Sequence, residues 1–167
     1  MRRTSLFQAT PVIFALLLCT ALAPASAGAW LRPGSFVDAS AYLQTDAAID
    51  AWFTLRYQLR QNFDDICGDT FCEGEYSNIE SLRYVCSVHR LSGRIGSCAW
   101  SFAASDESID PGTGRIAARH PAWLCRSPIE PGTTIEALLE ALQGEDPLYA
   151  SLPGSDVSLF DGLVDCL

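Results

Sequence analysis

Carboxylate side chains crowd residues 64–80, a stretch without a single basic residue. They are Asp64, Asp65, Asp69, Glu73, Glu75 and Glu80. Residues 69–80 have the length of an EF-hand loop, with acidic or polar residues at positions 1, 5, 9 and 12 and Gly74 at position 6. Position 3 is Phe71, which offers no oxygen ligand. This stretch can be interpreted as a Ca²⁺ site or as a solvated turn held by cysteines. The broken ligand pattern favours the turn.

Two histidines, His89 and His120, are the next candidates for chemistry. With Glu80 or Asp106 beside them, two imidazoles can serve as general acid and base, which would give a small secreted hydrolase. Nothing in the sequence orients the two rings toward each other, so surface histidines on sheet edges are the favoured interpretation. The sequence contains no G-x-S-x-G and no H-E-x-x-H motif. We therefore predict no catalytic residues.

Cysteines form the third group. Six follow the N-terminal apolar segment: Cys67, Cys72, Cys86, Cys98, Cys125 and Cys166. An even number in an exported chain predicts three disulfides, whereas the absence of C-x-x-C pairs argues against zinc. Cross-strand geometry allows Cys86–Cys98 or Cys98–Cys125, and Cys67 with Cys72 could close a short loop. The connectivity stays open at this level.

The first 27 residues have the order of a secretory signal peptide. Arg2 and Arg3 precede an apolar run over residues 11–23, and small residues follow it. We expect cleavage after Ala27 or Ala29, which leaves one periplasmic or secreted domain over residues 28–167. A retained membrane anchor is the alternative, but the run is shorter than the ~20 residues that a span needs. We therefore expect no membrane span in the mature chain.

The charge is strongly negative. The chain has 20 acidic and 11 basic residues, a net charge of −9, and all the basic residues are arginines. Removal of the predicted signal peptide takes away Arg2 and Arg3, which leaves 9 basic residues and a charge of −11. This balance disfavours nucleic acids and anionic membranes, and it favours a basic protein as partner.

Hydrophobic periodicity predicts one long helix. It begins at Thr45 or Asp46, either of which can cap it, and continues to about Ile66. Its apolar stripe comprises Ile49, Trp52, Phe53, Leu59, Phe63 and Ile66. Because Asp64 and Asp65 lie at the negative end of the helix dipole, we expect a compensating cation there, an arginine or a metal ion.

Period-two patterns predict a three-stranded meander after the acidic stretch. Residues 82–88 and 98–102 place their even-numbered side chains on the buried face, around a turn at Gly93. A third strand spans residues 115–126 and is an edge strand or is broken at Pro121.

Two helices follow. Thr133 and Glu136 predict a capping box for the first, Ser158 and Asp161 cap the second, and Cys166 ties down the tail. The sequence thus predicts a disulfide-stapled α+β fold, an N-terminal helix packed on a three-stranded antiparallel meander and followed by C-terminal helices. The function that it favours is an exported, acidic, non-enzymatic binding protein of the inhibitor or immunity-protein type. A calcium-binding module and a histidine hydrolase are the alternatives, and no cofactor other than Ca²⁺ is implied.

Overall fold

A computed structural model describes residues 35–167. The predicted signal peptide and its cleavage points at Ala27 and Ala29 lie outside the described residues, which belong to one compact unit. The strands and helices are, in order, β1 (Phe36–Asp38), α1 (Ala39–Tyr42), α2 (Asp46–Cys67), β2 (Glu80–His89), β3 (Ile95–Ala103), β4 (Asp106–Ile109), β5 (Ile116–Arg119), β6 (Ala122–Arg126), α3 (Ile135–Ala141) and α4 (Leu159–Val164), with a 3-10 turn at Phe71–Glu73. The predicted α+β class with an antiparallel sheet is confirmed.

The strands form two sheets. Four antiparallel strands lie in the order β1-β2-β3-β6, and β4 and β5 make a separate two-stranded ribbon. The predicted three-stranded meander is wrong in its strand count, because β1 adds an edge strand to the sheet. The predicted third strand is broken at Pro121, as expected, because proline lacks the N–H that would continue the pairing. The part before the break, β5, pairs with β4 and not with the main sheet.

The alternation of buried side chains is confirmed along most of β2 and β3. Tyr84, Cys86, Val88, Cys98, Trp100 and Phe102 are all buried. Leu82 is the exception, with 60% of its surface exposed. The pairing register shifts between Ser81 and Arg83, so a β-bulge moves Leu82 to the solvent face. Ser81 takes the buried position and accepts a hydrogen bond of 2.9 Å from Trp100 Nε1.

Helix α2 lies against this buried face of the sheet. Thr45 caps it, as predicted, by accepting a hydrogen bond from the Ala48 N–H. The Phe63 ring lies 4.7 Å from Phe102 and 6.0 Å from Trp100, centroid to centroid. The assignment of Phe53 to the buried stripe is wrong. Phe53 is 53% exposed, because a helix turns by about 100° per residue and Trp52 already occupies the inward position.

The C-terminal helices follow their predicted caps, with one shift. Ser158 and Asp161 form the expected capping box of α4. The N-cap of α3 is Thr134 rather than Thr133, one residue later than predicted. Because this places Glu136 too early for a capping box, its carboxylate instead accepts a hydrogen bond from the Tyr42 phenol.

Three disulfides staple these elements, which confirms the prediction of bridges and decides among the pairings. Cys67–Cys72 closes the end of α2, Cys86–Cys98 joins β2 to β3, and Cys125–Cys166 joins β6 to the tail. Their Cα–Cα distances are 5.0, 4.1 and 5.5 Å. Such bridges indicate an oxidising, extracytoplasmic environment. Among residues 35–167, no helix is both long and apolar enough to cross a membrane.

Candidate interaction surface

The acidic stretch folds as a turn that is anchored at its centre. The Cys67–Cys72 bridge fixes its start, directly after α2. The Phe71 ring points inward, 6.0 Å from Phe63 and 5.8 Å from Phe160 by ring centroids. The residue that breaks the EF-hand pattern is thus the hydrophobic anchor of the turn, and the carboxylates around it point to solvent.

All six predicted metal ligands, from Asp64 to Glu80, are exposed. Asp64 lies 3.7 Å from Arg60 one turn earlier in α2, so an arginine supplies the cation expected at this helix end. Within the described part of the chain, no three Asp, Glu, His or Cys side chains form a group that could hold a metal ion. The Ca²⁺ site remains a prediction from the sequence alone.

Side-chain contacts join the acidic turn to the base of the β4–β5 ribbon. Asn78 donates a hydrogen bond of 3.0 Å to Ser105 Oγ and accepts one of 3.3 Å from the Ser105 N–H. The Tyr76 ring lies edge-on to Trp123 at 5.6 Å. A hydrogen bond to Glu75 raises the pKa of Tyr76, so its phenol stays protonated and holds that carboxylate in place. Turn and ribbon therefore present one continuous surface.

We call residues 64–80 and 106–119 together the acidic surface. It carries nine carboxylates against two arginines, Arg115 and Arg119. Arg119 already pairs with Asp106 through contacts of 2.6 and 3.0 Å. The net charge of this surface is therefore negative, from the end of α2 to the tip of the ribbon. The nine carboxylates belong to Asp64, Asp65, Asp69, Glu73, Glu75, Glu80, Asp106, Glu107 and Asp110.

The tip of the β4–β5 ribbon is ordered by its own hydrogen bonds. The Asp110 carboxylate accepts from the N–H groups of Gly112 and Thr113 at 2.8 and 3.0 Å. These bonds lower the pKa of Asp110, so the carboxylate stays ionised. Gly114 follows at φ +69°, a conformation that glycine adopts readily. The tip is thus preorganised as a turn although all of it is exposed.

The two histidines lie far apart. His89 ends β2, where its Nδ1 lies 3.0 Å from Ser92 Oγ and its ring meets Phe36 edge-on at 5.3 Å. His120 lies at the other end of the sheet, because Glu80 at the start of β2 is opposite Ala103, which pairs in turn with Ala122. The ten-residue strand separates the two rings by roughly 30 Å. The structure therefore does not bring together the imidazole pair that the hydrolase hypothesis needs.

A cleft of about 550 Å³ opens at the His89 end of the sheet. Its polar lining includes Tyr42, Arg90 and Glu136, and its apolar lining includes Val37 and Ala48. Burial, and then the negative charge of Glu136, raise the pKa of Tyr42, so the phenol acts as a hydrogen-bond donor at neutral pH and not as a base. This cleft stands apart from the acidic surface, at the opposite end of β2.

Sequence reasoning found the acidic turn but missed the ribbon that extends it. Strand β4 reads Asp-Glu-Ser-Ile, which has no period-two apolar pattern, so residues 105–114 resemble a polar loop in sequence. The usable signals were the turn chemistry of Asp110-Pro111-Gly112 and the strand-breaking Pro121. Together they mark a hairpin that is separate from the main sheet.

No protein-family model, curated protein or solved structure matches this chain.

Proposed function

We propose that this protein is an exported, non-enzymatic binding protein that holds a basic protein partner on the acidic surface, in the manner of an inhibitor or immunity protein. The observation that carries the proposal is the concentration of carboxylates there, nine against two arginines of the same surface. Within residues 35–167, only Asp64 and Asp106 of the nine form ion pairs, with Arg60 and Arg119. A surface with an excess of one charge attracts an oppositely charged protein and accelerates its association.

The rigidity of the surroundings supports the same function. The acidic turn is fixed by the Cys67–Cys72 bridge and by Phe71, and the ribbon tip by the Asp110 turn. A surface that is ordered before binding loses little conformational entropy when the complex forms. Export through a signal peptide would place this surface where secreted basic enzymes act.

The test compares two triple variants with the same net charge. Glu73→Gln/Glu75→Gln/Glu107→Gln removes three carboxylates from the acidic surface. Glu140→Gln/Glu145→Gln/Asp156→Asn removes three exposed carboxylates elsewhere. Binding of purified cationic secreted enzymes, a lysozyme and a ribonuclease, is measured by calorimetry at low salt, with an acidic serum albumin as the negative control.

We expect the wild type to bind at least one cationic enzyme, and the acidic-surface variant to bind it about tenfold more weakly, a loss of about 1.4 kcal/mol. The control variant should stay within about threefold of the wild type, because its three carboxylates lie outside the proposed interface and Coulomb interactions weaken with distance. The proposal is overturned if neither cationic enzyme binds, or if both variants lose affinity equally.

A further inference from the structure

The β4–β5 ribbon has one face that combines apolar and acidic side chains. Its register pairs Glu107 with Ala118 and Ile109 with Ile116. Because side chains alternate along a strand, these four residues share one face and Asp106 and Arg119 lie on the other. Ile109 and Ile116 are 70% and 71% exposed. An opposed pair of isoleucines therefore stands at the far end of the ribbon, in solvent.

The rest of the described chain leaves this isoleucine pair uncovered. A two-stranded ribbon is marginally stable in isolation, and β4 and β5 form a sheet of their own. Every residue from 107 to 120 is exposed, so within the described residues nothing buries the isoleucine pair. The opposed isoleucines therefore give the ribbon a small apolar patch that is available for contact with a partner.

Charge distinguishes a basic partner from a second copy of this chain as the occupant of this face. After removal of the predicted signal peptide, a second copy would bring another chain of net charge −11 against this one, with Glu107 on the same face as the isoleucines and Asp110 at the adjoining turn. Like charges placed face to face oppose that pairing. A basic partner places lysine or arginine side chains opposite the same carboxylates, and each such ion pair at the rim favours the complex.

We propose that the β4–β5 ribbon is the part of the acidic surface that penetrates the partner, placing Ile109 and Ile116 in an apolar groove rimmed by lysine or arginine side chains. This inference rests on the proposed function and specifies its partner site. The isoleucines form the desolvated centre of the interface, which supplies most of the affinity, and the carboxylates form the rim, which supplies the rate of encounter.

The test is the double variant Ile109→Ser/Ile116→Ser. Its control is Leu91→Ser, which removes an exposed apolar side chain, 92% exposed, from the β2–β3 turn at the opposite end of the sheet. The probes are again the cationic lysozyme and ribonuclease. Thermal unfolding is measured for both variants and should stay within about 2 °C of the wild type, since exposed side chains contribute little to stability.

We expect the isoleucine variant to bind at least 30-fold more weakly at about 150 mM salt, mainly through faster dissociation, with the Leu91 control unchanged. The conservative variant Ile109→Val/Ile116→Val should retain most of the affinity. If the isoleucine variant binds within twofold of the wild type while the carboxylate variant is weakened, the ribbon inference fails and the proposed function stands. If neither enzyme binds the wild type, both fail. Concentration-dependent dimers in sedimentation that the isoleucine substitutions abolish would show that a second copy covers the ribbon, which also refutes the inference.

Discussion

Gly93, in the turn between β2 and β3, is the glycine whose replacement is tolerated least among those in residues 35–167. Its φ is +69°, and a Cβ there would lie 2.7 Å from the Tyr42 hydroxyl and 3.0 Å from Glu136 Oε2. The position therefore needs glycine for two separate reasons, the left-handed backbone and the close approach of the Tyr42–Glu136 pair.

We expect Gly93→Ala to lower the free energy of unfolding by about 2–3 kcal/mol, the sum of the left-handed backbone cost and a lost hydrogen bond. Gly154→Ala is the matched control, because Gly154 also has a positive φ, +81°, and a Cβ there would meet no atom within 4 Å. It should cost about 1–2 kcal/mol. Urea unfolding measures both, and equal losses would contradict the close approach.

Tyr84 makes stability depend on alkaline pH. Burial raises its pKa to about 12, although a hydrogen bond from Ser127 lowers it in part. The folded pKa lies above the unfolded value near 10. The stability that the buried, protonated phenol contributes is therefore complete below pH 10 and is lost as pH rises from 10 to 12. At pH 11 the loss is about 1.4 kcal/mol. The Tyr84→Phe variant should lack this component when unfolding is measured from pH 9 to 11, and the same slope in both proteins would contradict it.

Residue-level predictions from the sequence succeeded where one period held along a whole strand or helix. The burial of Tyr84, Cys86 and Val88 was predicted correctly, because the alternation along β2 runs unbroken through them. Leu82 and Phe53 were also predicted to be buried, but both are exposed. A bulge displaces the first, and Trp52 excludes the second from the core. Both errors arise from tertiary packing, which local periodicity does not contain.

At the scale of elements, the three disulfides differ in the length of chain that they close. The sequence separations are 41 residues for Cys125–Cys166, 12 for Cys86–Cys98 and 5 for Cys67–Cys72. A cross-link that closes a longer loop removes more entropy from the unfolded chain. The bridge that ties the C-terminal tail to β6 should therefore contribute most to stability.

Each bridge is replaced in turn by two serines. The free energy of unfolding should fall by about 4 kcal/mol without Cys125–Cys166, about 3 kcal/mol without Cys86–Cys98 and about 2 kcal/mol without Cys67–Cys72. Urea unfolding under non-reducing conditions, with free thiols counted to verify the remaining bridges, measures the series. The largest loss in the Cys67/Cys72 variant would show that the closed loop length does not set the order.

The elements that the sequence revealed are those with strong local signals. Helices α2 and α4 have their predicted caps at Thr45 and Ser158, and β2 and β3 their period of two. The short strands β1 and β4 were missed, because three or four residues without alternation form strands only through distant partners. The join between the acidic turn and the ribbon was missed for the same reason, since Asn78 and Ser105 are 27 residues apart.

At the scale of the whole molecule, the negative charge is unevenly placed. The acidic surface holds nine of the 20 acidic residues but only two of the 11 basic ones. The cleft at Tyr42 and Glu136 lies at the other end of the sheet, next to Arg90. The described part of the molecule therefore has a strongly acidic end, which includes the ribbon.

We expect this asymmetry to make association with the proposed basic partner sensitive to ionic strength. Electrostatic steering acts over about one Debye length, which shrinks from about 20 Å at 0.02 M salt to about 7 Å at 0.2 M. The rate of encounter with a cationic protein should therefore fall as salt is added, while the rate of dissociation, set by the desolvated isoleucines, should change little.

The most direct test of the central claim is the association rate constant with a cationic lysozyme or ribonuclease, measured by stopped flow from about 0.02 to 0.2 M salt. We expect the wild-type rate to fall at least tenfold across this range and the Glu73→Gln/Glu75→Gln/Glu107→Gln variant to show a much shallower dependence. A rate that is independent of salt, or equal slopes for the wild type and this variant, would contradict the claim that the acidic surface captures a basic partner.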